Sequence, residues 1–225
     1  MTEPDRRRVV PSTPRLTPDE IATRAFPSKV RGYAETEVRS FLDDKDPQKR
    51  ARAVDQVLER GEFIDWWALK WGDLLRINRT ALQEKGMWSF HNWVRAQVRD
   101  NVPMDAFVRD VITAEGSTFT DGPANFFQIG RTFEDWSETT TQLFLGVRIG
   151  CAKCHHHPFE KWSQDDYYGF AAFFSTVGQK NIPGAQGQQR DKRIFHNEMV
   201  AQSQNPKTKQ NLKPTGLGSP ALEIP

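Results

Sequence analysis

An all-α architecture follows from three features of the 225-residue chain: an irregular domain of about six helices between extended, largely irregular ends. Apolar side chains in the middle of the chain recur at helical spacing. Helix-start signals punctuate that pattern. No stretch of residues 35–177 alternates as a half-buried strand does.

In chain order, Glu37, Val38, Phe41 and Leu42 suggest a short first helix. Asp46-Pro47 places a capping side chain before a proline at the first helical position. Ala51, Val54, Val57 and Leu58 then form a stripe that Gly61 would end in a left-handed conformation. Phe63, Trp66, Trp67, Trp71, Leu74 and Leu75 mark a helix with a wide apolar face, expected to be central. Another carries Met87, Phe90, His91, Val94 and Val98, and Pro103 opens one bearing Phe107, Val108, Val111 and Ile112. Residues 114–131, with three glycines and a proline, read as a long loop. Thr132-x-x-Asp135 resembles a capping box with the shorter acid, and Ser163-x-x-Asp166, of the same spacing, starts the last helix. The stripe Trp136, Thr140, Leu143, Phe144, Val147 follows the first box, and Tyr167, Phe170, Ala171, Phe174 follows the second.

Composition partitions the chain. All seven Trp lie between Trp66 and Trp162, and 12 of the 15 Phe lie between Phe63 and Phe174, so the folded core is read as 35–177. The formal net charge of +2 conceals net +3 over residues 1–31, −5 over 32–177 and +4 over 178–225. Residues 1–34 read as a basic, proline-rich arm. Residues 178–225 read as an irregular basic tail linking to a further domain, with one strand-like stretch at Ile194–Val200. A near-balanced charge argues against a nucleic-acid partner, and no apolar run is long enough for a transmembrane segment. The polar start shows no signal peptide.

Chemistry concentrates in one window. Both cysteines fall in Cys151-Ala152-Lys153-Cys154-His155-His156-His157-Pro158, which excludes a disulfide-dense scaffold. Cys-x-x-Cys-His is the attachment motif of c-type haem. Cys151 and Cys154 are spaced to form thioethers with two vinyl groups, and His155 to serve as the proximal iron ligand. The same residues allow a zinc ion held by Cys151, Cys154, His155 and His157. They also allow a redox dithiol, or buried thiols with a structural role. If haem is present, His91 is the first candidate for the sixth ligand, ahead of Met87, Met104 and His157; His196 and Met199 rank lower. Asp165-Asp166 is explained by the helix dipole. No phosphate loop and no nucleophile elbow occurs, so no catalytic residue is assigned.

Read as a longer string, Leu145-Gly146-Val147-Arg148-Ile149-Gly150 through Cys154-His155-His156-His157-Pro158-Phe159-Glu160-Lys161-Trp162, followed by Asp165-Asp166-Tyr167-Tyr168-Gly169-Phe170, resembles a known family. So do Trp67-Ala68-Leu69-Lys70-Trp71-Gly72-Asp73-Leu74-Leu75-Arg76 and Pro103-Met104-Asp105-Ala106-Phe107-Val108-Arg109. This is the domain family of unknown function numbered 1549, cytochrome-like domains of large secreted planctomycete proteins, and the resemblance covers about residues 36–177. It implies a location outside the cytoplasm, periplasmic or extracellular, and haem c on Cys151, Cys154 and His155. It further implies an electron-transfer or haem redox role, and a redox partner protein or neighbouring domains as partners. The competing expectation is an interaction or scaffold module whose Cys/His cluster holds zinc or is structural.

Overall fold

Eight α-helices account for most of the regular structure in the computed structural model, which describes residues 35–183 and 191–219. The arm of residues 1–34 lies outside the described residues, as do 184–190 and 220–225 of the tail. The chain divides into two compact units, residues 1–56 and 57–225.

In the first unit the described helices are α1 (Glu35–Asp43) and α2 (Lys49–Leu58), the latter running to the boundary. Their connection is fastened by Arg52, which ion-pairs with Asp46 and with Asp44 at 2.8 Å. Asp46 also accepts the Gln48 N–H at 2.8 Å, as the Asp-Pro start signal requires. The apolar stripes of these helices stay largely exposed: Phe41, Leu42, Val54 and Val57 are all more than a third accessible.

The second unit holds α3 (Gly61–Leu74), α4 (Arg79–Arg99), α5 (Met104–Ile112), α6 (Phe126–Ile129), α7 (Phe133–Thr140) and α8 (Gln164–Ala171). Gly61 does not end α2 in a left-handed conformation. Arg60 leaves that helix in an extended conformation, its N–H on the Val57 carbonyl, and Gly61 begins α3. The wide apolar face of α3 is also used differently from expectation. Its buried residues are Ala68 and Gly72, Trp71 packs on the core beside Phe107, and Trp66, Leu69 and Leu74 remain about half exposed. The helix closes on two hydrogen bonds, Arg76 N–H to the Asp73 carbonyl and Ile77 N–H to that of Gly72, with Arg76 at φ 56°. Asn78 then caps α4 through a 2.8 Å bond from Ala81 N–H, and α4 is kinked at Gln83.

The stretch 114–131 is not the open loop its glycines suggest. After β1 (Gly116–Ser117) it forms a 3₁₀ turn, Gly122–Asn125, which packs against α4 and leads into α6. Ala124, Asn125, Phe126 and Phe127 are buried there. Asn125 replaces backbone pairing by donating its amide to the carbonyls of Thr118 at 2.6 Å and Gly122 at 3.0 Å, because buried carbonyls need partners.

The all-α expectation needs a second correction. Strands β2 (Val177–Asn181) and β3 (Lys192–His196) pair antiparallel, and β1 adds to β3, giving the order β1-β3-β2. A two-stranded ladder joins β4 (Ser203–Gln204) to β5 (Asn211–Leu212). These strands have two or five residues, too few for alternation to stand out, and β3 contributes a single fully buried side chain, Ile194.

Both capping boxes form. Thr132 Oγ1 accepts the Asp135 N–H at 3.2 Å, and Asp135 Oδ2 accepts those of Arg131 at 2.9 Å and Thr132 at 3.2 Å. Burial pushes the Asp135 carboxyl up, but these backbone donors, the Thr132 hydroxyl and the charge of Lys153 outweigh it and hold the carboxyl below its ordinary value of 3.8. Such a group stabilises the fold above its unfolded pKa and loses that contribution as pH falls through its folded value. Thr132→Ala is expected to lower stability by about 1 kcal/mol. Asp135→Asn is expected to flatten the loss of stability below pH ~4. Urea titrations at neutral and acid pH measure both.

Candidate functional site

The cysteine window occupies the connection between α7 and α8, as the sequence indicates, but it is more ordered than a loop. Helix α7 runs into a π-helical turn, Thr141–Leu145, which Gly146 ends at φ 68° as the Val147 N–H closes back onto the Thr141 carbonyl. A 3₁₀ helix, Ile149–Lys153, follows. Its period of three residues superposes side chains at i and i+3. Ile149 and Ala152 therefore face the core together, at 1% and 0% accessibility, while Cys151 and Cys154 are both exposed. The spacing that a Cys-x-x-Cys motif supplies is what this turn converts into a pair of outward thiols, and both are free.

The turn is held from beneath by α8. The Lys153 carbonyl accepts Gln164 Nε2 at 2.9 Å and the Tyr168 hydroxyl at 3.4 Å. Beside them the buried Tyr167 hydroxyl donates to Glu138 Oε1 of α7 at 2.6 Å. Burial pushes the Tyr167 phenol far above its ordinary range, reinforced by its hydrogen bond to Glu138 and by negative charge nearby. Tyr168 is pushed up too, by burial first and then by Glu134, Cys154 and Glu138. Both phenols thus act as fixed donors. Residue types alone did not single out Glu138, Gln164, Tyr167 or Tyr168. Their only signal was position, Glu138 in the helix after the first capping box and the other three in the helix of the second.

The histidines have distinct local roles. His155 Nδ1 lies 2.6 Å from the His156 carbonyl. A carbonyl only accepts, so Nδ1 is the donor of this bond. His157 is the reverse: its Nδ1 accepts the N–H groups of Phe159 at 3.3 Å and Glu160 at 3.0 Å. With His157 N–H on the Trp162 carbonyl at 2.8 Å, this ring organises the loop 157–162. Among the described residues no group of three or more His, Cys, Asp or Glu side chains is gathered as a metal centre, so the set Cys151, Cys154, His155, His157 is not assembled around one point.

The remaining candidates lie elsewhere. His91 and Met87 line an apolar groove of about 230 Å³ with Leu69, Ile77 and Trp88, which contains neither cysteine nor His155. His91 Nδ1 is buried there without a hydrogen-bond partner. Met104 lines a different groove, between α3 and α5. His196 is on β3, its ring against Phe127, and Met199 is exposed.

Among the described residues no helix is long and apolar enough to cross a membrane. No curated protein and no solved structure matches the chain. A family model does: the one described as Protein of unknown function (DUF1549), PSCyt2, matches residues 33–179.

Proposed function

Because the chain belongs to the DUF1549 family, we propose that it is a cytochrome-like module that carries one covalent c-type haem and serves electron transfer or haem redox chemistry outside the cytoplasm. The observation that carries this reading is the joint presentation of Cys151, Cys154 and His155. The thiols are free and exposed on one 3₁₀ turn, and the adjacent imidazole has its Nδ1 proton committed to a carbonyl. That hydrogen bond fixes the orientation of the ring, as in metal-ligating histidines generally.

The residues fit the group. Cys151 Sγ and Cys154 Sγ would form the thioethers, and His155 Nε2 would face the iron. The family name, which contains a cytochrome abbreviation, agrees with it. Apolar cover is available in the flanking sequence, where Leu145 and Phe159 are 51% and 92% accessible. When bound, haem c supplies reversible one-electron chemistry whose potential follows axial ligation and burial. The chain's own part is positional. Gln164 and Tyr168 hold the carbonyl between the two thiols, and Ile149 and Ala152 seat the turn in the core. His157 fixes the loop that follows by accepting two backbone protons.

The test is expression of the full chain with a periplasmic export signal and the c-type maturation machinery. A Soret band and haem staining on a denaturing gel are expected, with staining lost in Cys151→Ser/Cys154→Ser. Colourless wild-type protein overturns the reading. If it contains one equivalent of zinc, the Cys/His scaffold takes its place.

A further inference from the structure

A cleft of about 450 Å³ opens between the end of α3 and one side of α7, and it contains neither cysteine. Two arginines reach it, Arg76 and Arg131, with Leu74, Ile129 and Leu143 as its apolar wall. Among the described residues neither guanidinium is paired with a carboxylate. Arg76 donates once, to Thr139 Oγ1 at 2.9 Å, and the Arg131 side chain has no hydrogen-bond partner.

The two acids on the same wall do not satisfy them. Asp135 Oδ2 accepts the backbone N–H groups of Arg131 and Thr132, and Glu138 Oε1 accepts the Tyr167 hydroxyl. The cleft therefore presents two forks of N–H donors, most of them unused, between the apolar Leu74, Ile129 and Leu143 and the polar Asp135, Glu138 and Gln142.

Arg76 is also placed against local preference. It occupies the left-handed position that closes α3, at φ 56°, where glycine is the favoured residue. A side chain other than Gly, Asn or Asp there is strained. Observed strain of this kind points toward a use for the side chain, and the side chain here enters the cleft.

We infer that the cleft binds a small organic carboxylate, its anionic head between Arg76 and Arg131 and its apolar body against Leu74, Ile129 and Leu143. Planar guanidinium forks match a carboxylate in bidentate geometry. The apolar wall selects a ligand with a hydrocarbon body over a bare inorganic ion. The lining of this cleft includes neither cysteine nor His155.

The experiment titrates benzoate, phenyl phosphate and inorganic phosphate into the full chain, followed by calorimetry and ligand-observed NMR. Saturable benzoate binding is expected, with inorganic phosphate at least tenfold weaker. Arg131→Gln is expected to weaken benzoate by about tenfold or more, from the loss of a charge-assisted bond. Arg76→Gly is the sharper variant. It should weaken benzoate similarly while leaving the thermal midpoint unchanged or raising it by up to about 4 °C, because strain is relieved. A residue kept only for the fold would lower the midpoint instead. Three results overturn the proposal: no saturable benzoate binding, benzoate affinity unaffected by both variants, or phosphate or phenyl phosphate binding as well as benzoate.

Discussion

Gly122→Ala is expected to destabilise the second unit by about 3 kcal/mol or more, the upper end of what overpacking produces. An added methyl at Gly122 would lie 2.6 Å from the Ser89 carbonyl oxygen and 2.6 Å from Trp93 Cβ. Both belong to the buried side of α4, where the Gly122–Asn125 turn makes its closest approach. Side-chain rotation relieves neither clash, since one partner is backbone and the other a Cβ. The turn must move away, and Asn125 moves with it. Its amide bonds to the Thr118 and Gly122 carbonyls then break in a site of 0% accessibility. Gly146→Ala is the control. There the added methyl meets nothing within 4 Å, and only the φ of 68° is unfavourable, for about 1 kcal/mol. Denaturant titration of the full chain compares the two. A Gly122→Ala value within 1 kcal/mol of wild type would show that the turn is not close-packed.

Tyr167→Phe is expected to lower stability at neutral pH by about 1.5–3 kcal/mol, the range for a hydrogen bond to a charged partner. The aromatic ring stays in place at 0% accessibility, so the loss isolates the hydroxyl on Glu138. A second readout separates this from general loosening. The Tyr167 pKa is raised above its ordinary value of 10.0, by burial first and then by Glu138. The unfolded phenol therefore ionises while the folded one keeps its proton. The stabilisation is complete below pH ~10 and declines as pH climbs beyond that value toward the folded one. Wild type should lose stability steeply in that window and Tyr167→Phe less steeply. Parallel slopes would remove Tyr167 from the account.

Much of this structure was legible in side-chain spacing. The stripe of Phe90 and Val94 buries as the helical period requires, and Thr132 with Asp135 and Ser163 with Asp166 form both boxes that their spacing announces. These signals are local, so a linear reading finds them. What escaped depends on distant partners. Ala124–Phe127 looked like loop because Gly122 and Pro123 stand beside them, yet α4 supplies the surface that buries them. The α3 tryptophans looked central because of their size, but the buried residues of that helix are Ala68 and Gly72. At the site, Cys151, Cys154 and His155 were readable from their motif. The committed proton on His155, the acceptor role of His157 and the Glu138–Tyr167 bond were not, since each depends on backbone conformation or on packing between helices. In the sequence Arg76 is only the last residue of a family segment. Its meaning comes from a dihedral angle.

Strand β3 has a consequence for when this unit can finish folding. It is the central strand of its sheet, pairing with Gly116–Ser117 on one side and Val177–Asn181 on the other. Just before it, Asp191 accepts the hydroxyls of Ser117 at 2.7 Å and Thr118 at 3.0 Å. The family match ends at 179, before Asp191 and β3. On a ribosome, the segment 114–131 is thus made long before the strand that completes it. Until Ile194 emerges, β1 has no neighbour and the Thr118 hydroxyl no acid to bond. Helix pairing is local and proceeds during synthesis, whereas this closure joins residues 74 positions apart and comes among the unit's last steps.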